Sequence, residues 1–124
     1  MKARPHIFVD ADACPHKDVI RDLAQAYDLG VTMVANYAHE IEPGDRVEIV
    51  QVDKEPDAVD YAIANRVRRG DIVVTQDYGL AALVLGKGVG ALSPRGLVYD
   101  AGNIEGLLNE RYEAQRRRRA GRQR

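Results

Sequence analysis

Residues 70–88 read GDIVVTQDYGLAALVLGKG, and this stretch decides the fold. Asp71–Thr75, DIVVT, is apolar without alternation, which predicts a strand buried on both faces. Gln76 and Asp77 form the turn. Leu80–Leu85 predicts a short helix, closed by the glycines at 86, 88 and 90. A buried strand running straight into a helix is one unit of a parallel sheet, because parallel neighbours need a crossover between them.

The same grammar extends in both directions. Upstream, His6–Asp10 reads as a buried strand and Pro15–Tyr27 as a helix, with Val19, Ile20, Leu23, Ala24 and Tyr27 on one stripe. Gly30 ends that helix. Val31–Ala35 is a second strand. Asn36–Asp45 is polar, with a Pro43-Gly44 turn, and Val47–Val52 is a third strand. Pro56 suits a first helical turn, and Asp57–Arg69 continues as a helix up to Gly70. Downstream, Val89–Leu92 is a short fifth strand and Ile104–Arg119 a final helix. Right-handed crossovers then predict a three-layer αβα sandwich on a mainly parallel sheet of about five strands, in order 3-2-1-4-5. The chain divides into one domain, residues 1–119, and a basic tail, residues 120–124.

A chain of 124 residues supports one core. It has no apolar run of bilayer length and no signal-peptide pattern, so the expectation is a cytoplasmic protein with no membrane partner. One cysteine, Cys14, excludes an internal disulfide or a cysteine zinc cluster. Three histidines, including His6, His16 and His39, lack ligand spacing and receive no role. The net charge of −1 conceals a split. Residues 1–110 hold 11 Lys and Arg against 18 Asp and Glu, whereas residues 111–124 hold seven Arg and one Glu. A basic end suits an anionic partner, although a solvated helix end reads the same way.

In open parallel sheets ligands bind beyond the carboxyl ends of the strands, at the switch point. The first strand delivers Asp10 and Asp12 there, the second Asn36, the third Asp53, the fourth Asp77 and the fifth Ser93-Pro94-Arg95-Gly96. Asp57 and Asp60 lie three apart at a helix start. Asp60 borders the apolar arc of Val59, Ala62, Ile63 and Val67, so it is the better functional carboxylate. Asp57 is explained equally well by the positive end of the helix dipole. Two carboxylates 5 Å apart repel by ~3 kcal/mol at an effective dielectric of 20. A hard divalent cation, magnesium or manganese, is the simplest neutraliser of an all-oxygen cluster. Asp71 starts its strand at the opposite edge and is read as a solvent-facing turn residue. Cys14, before Pro15, is a candidate N-cap, with packing favoured over nucleophilic chemistry.

VDADACP at 9–15, DAVD at 57–60, GDIVVTQDYGLAALVLGKG at 70–88, LSPRG at 92–96 and NIEGLLNER at 103–111 resemble the bacterial YaiI/YqxD family. The resemblance runs over nearly the whole chain. That family is described as PIN-like, largely uncharacterised, and as a nuclease family. PIN domains are αβα nucleases that hold divalent metal with three or four acids. The resemblance implies that Asp10 is the acid ending the first strand, Asp60 the helix-borne acid, and Asp77 the acid of the Thr-x-Asp motif. Asp12 and Asp57 match the YaiI/YqxD pattern as weaker metal ligands. Members usually continue beyond the position of Arg124.

The leading expectation is a metal-dependent nuclease that hydrolyses phosphodiesters, with RNA ahead of DNA as partner. Asp10, Asp60 and Asp77 would be catalytic and metal-ligating. Arg95, Lys87, Arg116, Arg117, Arg118 and Arg119 would contact phosphates. A second reading is a haloacid-dehalogenase-like phosphatase with Asp10 as nucleophile and Asp12 as acid-base, although Cys14 stands where that motif expects Thr or Val. A third is a non-catalytic RNA-binding or regulatory protein that keeps the fold.

Overall fold

The computed structural model describes residues 4–12, 14–37 and 41–122; His39 and residues 123–124 of the basic tail lie outside the described residues. In chain order the elements are β1 (Ile7–Asp10), α1 (Lys17–Ala26), β2 (Val31–Ala35), β3 (Val47–Gln51), α2 (Ala58–Arg66), β4 (Ile72–Val74), α3 (Tyr78–Gly86), β5 (Gly90–Leu92), β6 (Val98–Tyr99) and α4 (Ala101–Arg122). The sheet order is β3-β2-β1-β4-β5-β6. Every pairing is parallel except β5 with β6. The layered α/β fold and the 3-2-1-4-5 order expected from the sequence are present. β1 lies between β2 and β4, so the order reverses beside it.

Strand periodicity sorts the core into two clusters. Ile7, Val9, Val31, Met33 and Val74 pack with Ala24 of α1 on one face. Phe8, Val34 and Val73 pack with Val59 and Ile63 of α2, Leu80 and Val84 of α3 and Ile104 of α4 on the other. Asp10 follows Phe8 by two residues, so its side chain leaves β1 on the face of α2, α3 and α4. Thr75 follows Val73 by two and leaves β4 on the same face.

The structure corrects several boundaries. Among the described residues there are six strands rather than five: the chain turns at Ser93–Leu97, with Ser93 N–H donating to the Leu97 carbonyl at 2.8 Å, and returns as an antiparallel edge. A two-residue strand carries no period to read. α2 ends at Arg66, not Arg69, because Val67 is extended (ψ 146°). α1 begins at Lys17, after an N-cap at His16 rather than Cys14. Only Ile20 and Ala24 of its stripe join the core; Val19, Leu23 and Tyr27 are 53%, 55% and 72% exposed. α3 spans Tyr78–Gly86 because Asp77 caps it. α4 starts at Ala101 because Asp100 and Asn103 exchange side-chain bonds to each other's backbone N–H, both 2.9 Å, and it continues through residues 120–122. Asp71 is not solvent-facing. It is buried, and its carboxylate accepts from the N–H groups of His6 (3.0 Å) and Arg68 (2.8 Å).

Candidate metal centre

Asp77 is placed by two hydrogen bonds. Its carboxylate Oδ1 accepts from Leu80 N–H at 3.0 Å, capping α3, and its own N–H donates to Thr75 Oγ1 at 2.9 Å. Gly79 leaves the carboxylate its space, since a Cβ there would sit 3.1 Å from Oδ1. Thr75 is fully buried and donates its hydroxyl to Asp10 Oδ2 at 3.0 Å. The Thr75 carbonyl accepts from the buried Tyr99 hydroxyl at 3.0 Å, and the Tyr99 ring meets Tyr78 edge-on at 5.9 Å. β6, which no periodicity revealed, thus supplies the back wall of the site.

Asp60 completes the group from the first turn of α2. Its carboxyl is pushed up to about 7, first by burial and then by the charges of Asp77, Asp10 and Asp57. The Asp10 carboxyl is also raised, first by burial; the Thr75 hydroxyl opposes that rise, while Asp12 and Asp77 add to it. Asp10, Asp60 and Asp77 therefore occupy one electrostatic neighbourhood, with more negative charge than their surroundings solvate. Among the described residues, no three His, Cys, Asp or Glu side chains are preset around one point as metal ligands. The donor chemistry fits a hard cation: all-oxygen, polyanionic and half-buried.

The other expected site residues divide. Asp12 stands beside Asp10, but its carboxylate accepts from Asn36 N–H at 2.8 Å and from Tyr37 N–H at 3.3 Å, so it caps the end of β2. Asp57 is exposed at the N-cap of α2 in a left-handed conformation (φ 66°), with no side-chain cap bond. Arg95 is exposed in the β5–β6 turn, at the carboxyl edge of β5. Arg116, Arg117, Arg118 and Arg119 are exposed along α4. Lys87 is not brought to the acids. It follows α3 at the opposite edge of the sheet, and its ammonium donates to the Ala64 carbonyl at 2.8 Å. Cys14 is buried, and burial pushes its thiol up, which disfavours a nucleophile.

Sequence reasoning missed Arg111. One of its terminal nitrogens lies 3.8 Å from Asp77 Oδ1, with the side chain half exposed. It closes the NIEGLLNER stretch, and its position three to four residues after Leu107 and Leu108, which pack on the core, was the available signal.

The family described as "Uncharacterized BCR, YaiI/YqxD family" matches residues 8–124. A UPF0178 protein of Halalkalibacterium halodurans is 48% identical over 115 residues, covering 93% of this chain and 73% of the relative. A UPF0178 protein of Ruminiclostridium cellulolyticum is 50% identical over 115 residues, covering 93% and 74%. In fold, the chain is similar to the crystal structure of Rae1 (YacP) from Bacillus subtilis (W164L mutant). The TM-score is 0.51 at 20% identity, covering 94% of this chain and 84% of that one. Matched along nearly its whole length, the chain belongs to the YaiI/YqxD family.

Proposed function

We propose that this protein is a metal-dependent nuclease that hydrolyses phosphodiester bonds in RNA. The observation that carries the reading is the convergence of Asp10, Asp60 and Asp77 beside the β1/β4 switch point, where Asp60 holds its proton up to about 7. Asp10, Asp60 and Asp77 would hold magnesium or manganese, with Asp57 at the margin; Asp12 is already engaged by backbone N–H groups. When bound, the cation would supply Lewis-acid stabilisation of charge on the phosphoryl oxygens.

The chain's own residues fix the geometry. Thr75 orients Asp10 through its hydroxyl and Asp77 through its hydroxyl oxygen, so one buried side chain aligns two acids on different elements. Arg111 sets a guanidinium beside Asp77, suited to a phosphate oxygen arriving there. Arg95, exposed in the β5–β6 turn, and the arginines of α4 would make sequence-neutral contacts with the RNA backbone.

The phosphatase reading needs a free acid-base at Asp12, and the N–H groups of Asn36 and Tyr37 occupy that carboxylate. The deciding experiment is cleavage of a labelled single-stranded RNA with manganese, magnesium or chelator, using the parent protein and Asp77→Asn. Metal-dependent cleavage lost in the variant supports the reading. RNA binding without cleavage under any metal would replace it with the non-catalytic reading.

A further inference from the structure

The edge of the sheet opposite the acids carries a cleft of about 540 Å³, lined by Arg4, His6, Glu48, Arg66, Arg68 and Arg69 among others. It stands out because residues 1–110 are acidic as a whole. Arg4 is held by Asp28. Among the described residues, Arg66, Arg68 and Arg69 form no ion pair, and all three are exposed. Arg66 donates only to the Ala62 carbonyl of its own helix, at 3.0 Å.

The Asp71 carboxylate, which also lines the cleft, is spent on backbone N–H groups rather than on these charges. Asp71 is buried and accepts from the backbone N–H groups of His6 and Arg68. It therefore ties the strand start at His6 to the loop carrying Arg68 and Arg69, without engaging either guanidinium. Gly70, at φ 92°, makes the reversal that this loop needs. Arg69 lies against Gly88, where a Cβ would sit 2.8 Å from its Nε. The loop is thus held, and Arg68 and Arg69 line the open cleft.

We propose that this cleft binds the phosphodiester backbone of a single nucleic-acid strand, at a second site remote from the acids. The proposal rests on the reading of the chain as an RNA-binding protein, but not on cleavage. A strand fits better than a lone phosphate. α2 and α3 both end at this edge, and helix carboxyl ends disfavour a small anion seated deep among their carbonyls. Arg66 and Lys87 already bond carbonyls of α2, which leaves Arg68 and Arg69 to reach outward along an extended polyanion.

The test is fluorescence anisotropy of a labelled oligouridylate with the full chain, in chelator so that no cleavage intervenes, over a range of potassium chloride. Arg68→Gln/Arg69→Gln is expected to weaken binding about tenfold and to flatten the log-log salt slope by about 1.4, at ~0.7 per lost phosphate contact on a single strand. Glu48→Gln, which removes an exposed carboxylate from the cleft, is expected to tighten binding about two- to threefold. Unchanged affinity and slope in the folded double variant would overturn the proposal, as would a parent protein that binds no oligouridylate. Displacement of the oligouridylate by inorganic phosphate at matched phosphate concentration would overturn the strand in favour of a single-phosphate ligand. A parent that binds but never cleaves would sink the nuclease reading and leave this site standing.

Discussion

Thr75 donates its hydroxyl to Asp10 Oδ2 across the β1–β4 pair at 3.0 Å, one step beyond the last registered residues, Val9 and Val74. The same oxygen accepts the N–H of Asp77 at 2.9 Å. Thr75→Val keeps the shape and removes both bonds, leaving the Asp77 N–H without its acceptor. Expected is a loss of ~1–3 kcal/mol of stability by urea unfolding. The Asp10 carboxyl should also rise further, since the Thr75 hydroxyl is what holds it down. Carbonyl NMR of Asp10 against pH checks the second outcome; an unmoved titration would remove Thr75 from the site.

The metal-free protein should become more stable as pH falls from about 8 towards 5. Asp60 holds its proton to about 7 when folded, whereas an unfolded aspartate releases it near ~4. Between those values the folded state binds more protons than the unfolded one, so stability falls as pH rises. Asp10 acts in the same direction. Asp60→Asn should flatten the pH slope of chemical unfolding in this window. An equal slope in the variant would show that the charge strain lies elsewhere.

Manganese or magnesium should raise the melting temperature, because a cation that neutralises clustered acids stabilises only the folded state. The gain reaches ~2.7 kcal/mol at one hundred times the dissociation constant. Asp10→Asn should abolish the shift while remaining folded. A full shift in that variant, measured by scanning fluorimetry, would place the cation away from Asp10.

Arg111→Gln should leave stability almost untouched, because a half-exposed pair at 3.8 Å contributes at most ~1 kcal/mol. Cleavage should fall on the order of tenfold, as the guanidinium beside Asp77 no longer meets the phosphate. A stability loss matching the activity loss would make Arg111 structural.

Deleting residues 116–124 should weaken RNA binding and flatten its salt dependence, since consecutive arginines on a helix surround its axis and suit a loosely held polyanion. Arg95→Ala should lower cleavage more than binding. An unchanged salt slope after the deletion would reduce the end of α4 to a solvated helix.

The sequence determined the sheet order and which acids reach one edge. Both follow from local pattern: a short, β-branched apolar run after a glycine, such as Asp71–Thr75, reads as a buried strand, crossovers have one hand, and a residue ending a parallel strand has one edge to occupy. Tertiary structure decided what each residue does once there. Asp12 and Asp10 are two residues apart and alike in type, and their charges act on each other, yet the Asp12 carboxylate is bound by the N–H groups of Asn36 and Tyr37 while Asp10 takes the Thr75 hydroxyl and acts on Asp60. Lys87 follows an acid-capped helix in sequence, but one helix length carries it to the far edge. Arg111 and Tyr99 reach the site only because α4 and β6 fold back onto α3 and β5. Spacing along the chain encodes direction and face; partnership depends on the packing of distant segments, which no local period contains.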